Sequence, residues 1–275
     1  MIPSFFIGLR EGLEAALIVF IALGVLEKIG HSSLRKVIWS GVIAALLVSL
    51  SVAIALQFVG ATLEGKSEEV FEGVTMLLAS GVLTWMIFWM LRNSRRLQAG
   101  LESDVRKAVQ GGQKWALFSI AFLAVVREGI ETSLFLTAAA MTASTRQVFA
   151  GGLIGIAVAF LLGWALFKTT IRLNIRNFFL VTSVLLILFA AGLFAHGIHE
   201  FIEVGWIPPV VDQVWDLNPY LSEDSLVGSM LKSVFGYNGN PSLVEALSYV
   251  GYFVVILLAV RLVTKGRSRL EKSQR

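Results

Sequence analysis

Two copies of one charged hexapeptide interrupt two otherwise apolar runs of this sequence. The first copy is LREGLE at residues 9–14, and the second is VREGIE at residues 126–131. Each is followed by a long apolar segment, residues 15–26 and 132–141. A charged side chain at the centre of a membrane helix costs about 2.5 to 3.5 kcal/mol against insertion. Three charges in each of two such helices therefore indicate that the charges serve a function.

The composition places the chain among integral membrane proteins. Of its 275 residues, 56% are hydrophobic and 15% are charged, and the mean hydropathy is +0.77. Soluble domains carry about 25% charged residues. The chain has no cysteine, which excludes disulfides, thiolate metal sites and iron–sulfur clusters. The net charge of +4 does not indicate nucleic-acid binding, because the basic residues fall at the ends of the apolar segments.

Hydropathy predicts an all-α polytopic protein with seven transmembrane helices, each near the ~20 residues that cross a bilayer. Eighteen of the 23 Lys and Arg residues fall in one set of loops, three fall in the opposite set and two lie within spans. Because basic loops favour the cytoplasmic side, the N-terminus is predicted outside and the C-terminus inside. The predicted spans are residues 3–27, 37–60, 70–91, 115–141, 148–168, 177–199 and 243–264.

The positions of the two motifs predict an inverted repeat. Arg10 and Arg127 lie 117 residues apart, in the first and fourth predicted spans. Three spans per unit is an odd number, so the second unit enters the membrane from the opposite side, as in many secondary transporters. The predicted organisation is a first repeat at 1–92, a cytoplasmic linker at 93–114, a second repeat at 115–200, an outer loop at 201–242, and a seventh helix with a basic tail at 243–275.

The glutamates of the motifs are predicted to bind a metal ion. Within each motif they are three residues apart, which places both carboxylates on one face of a helix. If the first and fourth spans cross near the midplane, four carboxylates converge there. Oxygen-only ligation selects hard cations, among them iron, calcium, magnesium and manganese. The predicted ligands are Glu11, Glu14, Glu128 and Glu131.

The arginine of each motif is predicted to orient the second glutamate. Arg10 and Glu14 are four residues apart, as are Arg127 and Glu131, and such pairs are neighbours on a helix. The adjacent Arg10 and Glu11 are expected to point apart. The glycine between the two glutamates of each motif is predicted to allow close backbone approach.

Acidic residues near the outer side of the membrane form a second group of candidates. Residues of this group are predicted as outer ligands that receive a cation first, since acidic mouths concentrate cations. The alternative for each is a structural role at a helix end. At the opposite end of the third span, Trp85 and Trp89 are predicted as interface anchors. The outer candidates are Glu68, Glu69, Glu72, His199 and Glu203.

Together these residues resemble the oxidase-dependent iron transporter family, and most closely its bacterial permeases. That family carries R-E-G-L-E in its first and fourth spans. The first copy here matches in full, and the second has Ile130 in place of leucine. The resemblance extends through FEG at residues 71–73, LTWM and FWM between 83 and 90, IRLN at 171–174, FGY at 235–237 and PS at 241–242.

The resemblance implies a permease of the bacterial cytoplasmic membrane that carries ferric or ferrous iron inward, with the motif glutamates as ligands. It implies iron as the transported substrate, no permanently bound cofactor and no enzymatic activity. It also implies a periplasmic iron-binding protein and a haem peroxidase as partners. Two alternatives stay open: a carrier for another hard or heavy divalent cation such as manganese or lead, and a carboxylate-type membrane metal oxidase.

Overall fold

Helices make up all the regular structure in the described part of the chain. The computed structural model describes residues 1–93, 97–168, 175–223 and 225–273. The IRLN segment of the family resemblance, residues 171–174, lies outside these ranges. Long apolar runs fold as helices because a helix satisfies its own backbone hydrogen bonds, which lipid cannot do. The helices are α1 Ile2–Lys28, α2 Arg35–Thr62 (after a 3-10 turn, Ser32–Leu34), α3 Lys66–Asn93, α4 Leu97–Gln110, α5 Lys114–Thr142, α6 Thr145–Lys168, α7 Ile175–Glu203, α8 Leu226–Phe235 and α9 Leu243–Ser273.

Each predicted span coincides with a helix, and five segments are long and apolar enough to cross a membrane. The two predicted spans outside this set form α1 and α5, which have 27 and 29 residues but carry three charged motif residues each. The all-α fold class is confirmed. The seven crossings, the repeat and the orientation stay predictions. The five qualifying segments are Ser32–Thr62, Lys66–Met90, Thr145–Lys168, Phe178–Glu203 and Leu243–Arg261.

One compact unit of the fold contains Met1–Glu64 and Trp89–Leu186. Within it α1 packs along α6, and α2 packs along α5. A hydrophobic cluster of this unit joins α1, α2, α5 and the short helix α4, whose Val105 and Ala108 are buried. The sequence assigned α4 to a linker, whereas its apolar face is part of this core. The unit contains both charged motifs.

A second compact unit contains Gly65–Phe88 and Ile187–Arg275. In it Ser80 of α3 donates a hydrogen bond to the carbonyl oxygen of Ala190 on α7 at 2.8 Å. Ser225 caps the N-terminus of the short helix α8, and its Oγ accepts the Gly228 N–H at 3.0 Å. Gly236 caps the C-terminus of α8, where φ is +67° and a side chain would meet the backbone of Gly192 on α7. A glycine is required there by both the backbone angle and the close approach.

Apolar side chains on the outer faces of the helices match a lipid environment. Leu47 and Phe58 of α2 are 62% and 69% exposed, and Leu161 of α6 is 61% exposed. Such continuous apolar exposure would be unfavourable in water but is the normal surface of a helix in a bilayer. The side chains that face inward are therefore the ones available for polar chemistry.

Candidate metal-binding site and family assignment

The two motifs bury their glutamates in the middle of α1 and α5. Glu11 is fully buried, and Glu128 and Glu131 are 4% and 9% exposed. The side chain of Glu14 is 12% exposed. Glutamate is almost never buried without a charged or hydrogen-bonding partner. The partners of these four side chains therefore decide what the site can do.

Three of the four glutamates converge. Glu11 from α1 and Glu128 and Glu131 from α5 each offer a carboxylate oxygen, and these oxygens lie within 4.8 Å of one another. Among the residues that the structure describes, this is the one group of three acidic or histidine side chains close enough to share an ion. Glu14 does not belong to this group of three, although it is tied to it through Arg10. We call these three residues the carboxylate cluster.

Both arginines contact both glutamates of their own motif. Arg10 lies 3.0 Å from Glu11 and 3.2 Å from Glu14. Arg127 lies 2.9 Å from Glu131 and 3.8 Å from Glu128. The expectation that Arg10 and Glu11 point apart is therefore wrong. The guanidinium stands at the end of a long side chain, and in a site with no exposed surface its two Nη atoms each take a carboxylate.

Several carboxylate oxygens of the site have no hydrogen-bond partner. Oε2 of Glu11, of Glu128 and of Glu131 are each buried without one. An unpaired buried charge is costly, and two arginines against four glutamates leave a formal charge of −2. A hard cation that these oxygens bind would compensate this charge.

Small residues let neighbouring helices approach the motifs closely. A side chain at Gly12 would come within 2.9 Å of the Ala159 Cβ on α6. A side chain at Gly129 would collide with the hydroxyl of Ser49 on α2. The expected close approach at the two motif glycines is therefore confirmed, with α6 as the neighbour in one motif and α2 in the other.

Comparison with known proteins decides the family. Residues 1–269 match the iron permease FTR1 family. The chain belongs to this family. It is 36% identical to the ferrous iron permease EfeU of Shigella sonnei over 275 residues, which cover 99% of this chain and all of that protein. A putative inactive ferrous iron permease EfeU of Escherichia coli K12 is similar to the same extent, and EfeU of Yersinia pestis is 34% identical over 94% of this chain and 92% of its own.

No solved structure matches the chain. The membership makes the protein a membrane permease of an iron-transporting family. A permease needs a polar site inside an apolar bundle, which is the chemistry that the carboxylate cluster offers.

The outer candidates of this FTR1-family permease lie in the second unit. Glu72 has Glu68 and Glu203 as its charged neighbours, and Glu200 has Glu69 among its own. No three of these residues come within ligand distance of one another in the described ranges. His199 instead lies 3.2 Å from Glu203 and 3.2 Å from Glu245.

Several contacts of the permease escaped the sequence analysis. Glu245 lies in the first turn of α9, where its side chain is buried and accepts hydrogen bonds from Asn238 at 2.9 and 3.0 Å. Trp89 was predicted as an interface anchor, yet its ring lies 4.9 Å from the guanidinium carbon of Arg127. The signal for Trp89 was its place in the FWM segment shared with the family.

Proposed function

We propose that this protein carries iron inward across the cytoplasmic membrane through a site formed by Glu11, Glu14, Glu128 and Glu131. The observation that carries the proposal is the convergence of three buried carboxylates within 4.8 Å. Their unpartnered oxygens make the empty site unstable relative to the ion-bound one. Membership of an iron permease family supplies the identity of the ion.

The pairing of helices supports the inverted repeat that such transport would use. In the proposed repeat α1 corresponds to α5, and α2 corresponds to α6. The packing of α1 along α6 then corresponds to the packing of α5 along α2, and both pairings occur in the first unit. A two-fold relation of this kind supports a binding site near the bilayer midplane. The proposed orientation, with the N-terminus outside and the C-terminus inside, rests on the distribution of basic residues between the loops.

We propose ferrous iron as the species bound at this site. The formal charge of the four glutamates and two arginines is −2, which one divalent ion neutralises. The relatives from Shigella and Yersinia are named as ferrous iron permeases. Ferric iron, which the family resemblance also allows, would leave one positive charge in a buried site unless a further carboxylate joined it.

The arginines hold the site together between ions. Each guanidinium spans the two glutamates of its motif, so it screens their repulsion while no ion is present. An arriving cation takes over that role and repels the guanidinium, because like charges interact strongly where water is scarce. The site therefore alternates between an arginine-bound and an ion-bound arrangement.

Delivery from outside completes the proposed cycle. The family resemblance implies a periplasmic iron-binding protein and a haem peroxidase as partners. The acidic residues Glu68, Glu69, Glu72 and Glu203, with His199, are the proposed outer ligands, since a negative surface attracts cations and raises their local concentration.

The proposal is tested by uptake of radioactive iron into liposomes that contain the purified protein. We expect saturable uptake of Fe²⁺ kept reduced with ascorbate, and slower uptake of chelated Fe³⁺. Glu128→Gln should abolish it, whereas the control Glu27→Gln, which changes a 57% exposed glutamate on the same helix as Glu11, should not. Uptake no faster than in protein-free liposomes would refute the proposed function.

A second cation remains a candidate because the donor set is made of oxygen alone. Manganese(II) has the same charge as ferrous iron and accepts carboxylate ligands. At saturating iron, a tenfold excess of manganese that lowers the iron uptake to about a tenth would show that the cluster does not discriminate the two. Unchanged iron uptake would restrict the function to iron.

A further inference from the structure

The last turn of α3 contacts the arginines of both motifs. Nη2 of Arg10 donates to the thioether sulfur of Met90 at 3.4 Å. The guanidinium carbon of Arg127 lies 4.9 Å from the centre of the Trp89 ring. These two residues are adjacent in sequence, so their side chains leave the helix in directions about 100° apart. One helix end thus reaches two arginines that belong to different helices.

Both contacts hold an arginine without neutralising it. The face of an indole ring attracts a guanidinium through its quadrupole, and a thioether sulfur is a weak acceptor with no charge. An acidic side chain at either place would pair with the arginine permanently. With Trp89 and Met90 as neighbours, the arginines keep their full charge for the glutamates of the motifs.

The environment of α3 at this point adds to the same effect. Trp89 and Met90 lie within the last five residues of α3, which ends at Asn93. Met90 is buried, with 8% of its surface exposed, so its contact with Arg10 is made away from water.

The proposed transport cycle needs such neighbours. When an ion binds the glutamates, each guanidinium must move away from a carboxylate, and its positive charge then needs another stabilising neighbour. Arg10 is completely buried and cannot turn to water for this. Arg127 is 35% exposed but lies against an aromatic face, along which it can shift while it keeps the cation–π contact.

We propose that Trp89 and Met90 are positioning residues that hold Arg127 and Arg10 while the glutamates exchange an arginine for an ion. This inference rests on the proposed function of the carboxylate cluster. Without the ring, Arg127 keeps its ion pairs with Glu128 and Glu131 but loses the uncharged contact, so it competes more strongly with the ion. The expected consequence is a weaker apparent affinity for iron with little change in the maximal rate.

The test compares substitutions at Trp89 by the kinetics of iron uptake in proteoliposomes. Trp89→Leu removes the aromatic face and should raise the half-saturating Fe²⁺ concentration roughly five- to tenfold, between the effects of an exposed and of a desolvated cation–π contact, because Arg127 is 35% exposed. Trp89→Phe keeps a weaker face and should raise it only about twofold. Met90→Leu keeps the volume and should raise it about two- to threefold, because the sulfur contact is weak.

Matched controls lie on the same helix. Trp85→Leu makes the same change one turn earlier at a side chain that is 60% exposed, and Met76→Leu makes the methionine change at another buried position. Both should leave the half-saturating concentration within twofold of the wild-type value. The same ranking is expected for the dissociation constant of Fe²⁺ measured by calorimetry on the detergent-solubilised variants.

The outcomes separate this inference from the proposed function. Saturable uptake by the wild type with equal half-saturation in Trp89→Leu and Trp85→Leu would overturn the positioning role and leave the transport proposal intact. A Trp89→Phe variant as impaired as Trp89→Leu would overturn it too, because packing volume and not the aromatic face would then be the cause. A wild type without saturable uptake would remove both proposals.

Discussion

Arg127 donates a hydrogen bond from Nε to Oε1 of Glu131, one helical turn further along α5, over 2.9 Å. The corresponding pair on α1, Arg10 and Glu14, is 3.2 Å apart. Two motifs that are far apart in the sequence thus make the same internal ion pair. In each motif a further carboxylate oxygen is buried without a hydrogen-bond partner, Oε2 of Glu11 in the first and Oε2 of Glu131 in the second, and this supports a shared role at one binding site.

Replacing any one of the four motif glutamates by glutamine should reduce iron uptake at least tenfold. Glutamine keeps the volume but has no anionic oxygen, so a hard cation loses a strong ligand. Uptake by cells that express equal amounts of each variant is the measurement. Glu27→Gln is the control, because Glu27 pairs with Arg35 at an exposed position. Full uptake by Glu11→Gln would remove that residue from the ligand set.

Arginine-to-lysine substitutions should separate geometry from charge. Arg10 engages Glu11, Glu14 and Met90 through two different nitrogens, and lysine has only one. Arg10→Lys should therefore lower uptake roughly tenfold. Arg127→Lys should cost less, about threefold, because Arg127 bonds Glu131 through a single nitrogen and is 35% exposed. Arg35→Lys serves as the surface control. Near-normal uptake in both motif variants would show that a positive charge at these positions is sufficient for transport.

Packing around the second motif predicts a rescue. Gly129→Ala places a methyl group against the Ser49 side chain and should destabilise the protein by about 1 to 3 kcal/mol. Ser49→Gly removes that side chain and should restore most of the loss in the double variant. The measurement is the unfolding temperature in detergent. Gly81→Ala, where nothing lies within 4 Å, is the control and should be neutral or slightly stabilising. A double variant as unstable as Gly129→Ala would contradict the packing argument.

Much of this architecture was accessible from the sequence. Hydropathy places each predicted span within an observed helix. A run of about twenty apolar residues folds as a helix in a bilayer, because only a helix satisfies all the backbone hydrogen bonds within the segment. The period of a helix was enough to predict the contacts of Arg10 with Glu14 and of Arg127 with Glu131. Local geometry was thus predictable wherever the partners lie on the same helix.

Contacts between helices could not be predicted from the sequence. The contact of Arg10 with Met90 joins residues 80 positions apart, and the approach of Ser49 to Gly129 depends on how α2 crosses α5. No periodicity encodes such a crossing. The Arg10–Glu11 pair was mispredicted for a different reason: the backbone separates the two side chains, but the long side chain of Arg10 reaches Glu11 with one Nη atom and Glu14 with the other.

An ion pair in the outer loop predicts a pH dependence of stability. Burial raises the pKa of Glu223, but hydrogen bonds from Lys232 at 2.7 Å and from the Gly239 N–H at 2.8 Å outweigh it and hold the pKa below its ordinary value of 4.5. A lowered native pKa means that the carboxylate stabilises the fold above pH 4.5 and that this contribution is lost as the pH falls through the native pKa.

Glu223→Gln should therefore lower the stability at pH 7 by about 1 kcal/mol, a modest value because Lys232 is 32% exposed and the pair is partly screened. The gap between variant and wild type should narrow as the pH falls from 4.5 through the lowered native pKa of Glu223. Unfolding temperatures in detergent across this pH range are the measurement. A constant gap at all pH values would show that the carboxylate charge is not the cause.

The driving force for transport follows from the charge of the ion. The pattern G-x-x-x-x-G-K-[ST] occurs as GATLEGKS at residues 60–67, but this segment joins the helices α2 and α3, whereas a nucleotide-binding loop follows a strand. ATP hydrolysis by this chain is therefore not expected. A divalent ion that moves inward gains roughly 4.6 kcal/mol per 100 mV of inside-negative potential, at ~2.3 kcal/mol per charge. Since the arginines stay in the protein, that charge moves with the ion alone.

Iron uptake into proteoliposomes should therefore rise steeply when a potassium diffusion potential makes the interior negative, and the same potential of opposite sign should suppress it. The control is an imposed pH gradient without a potential, which should change the rate less than twofold. Uptake that ignores the potential but follows the pH gradient would replace this account with proton antiport, in which the motif glutamates release protons as they bind iron.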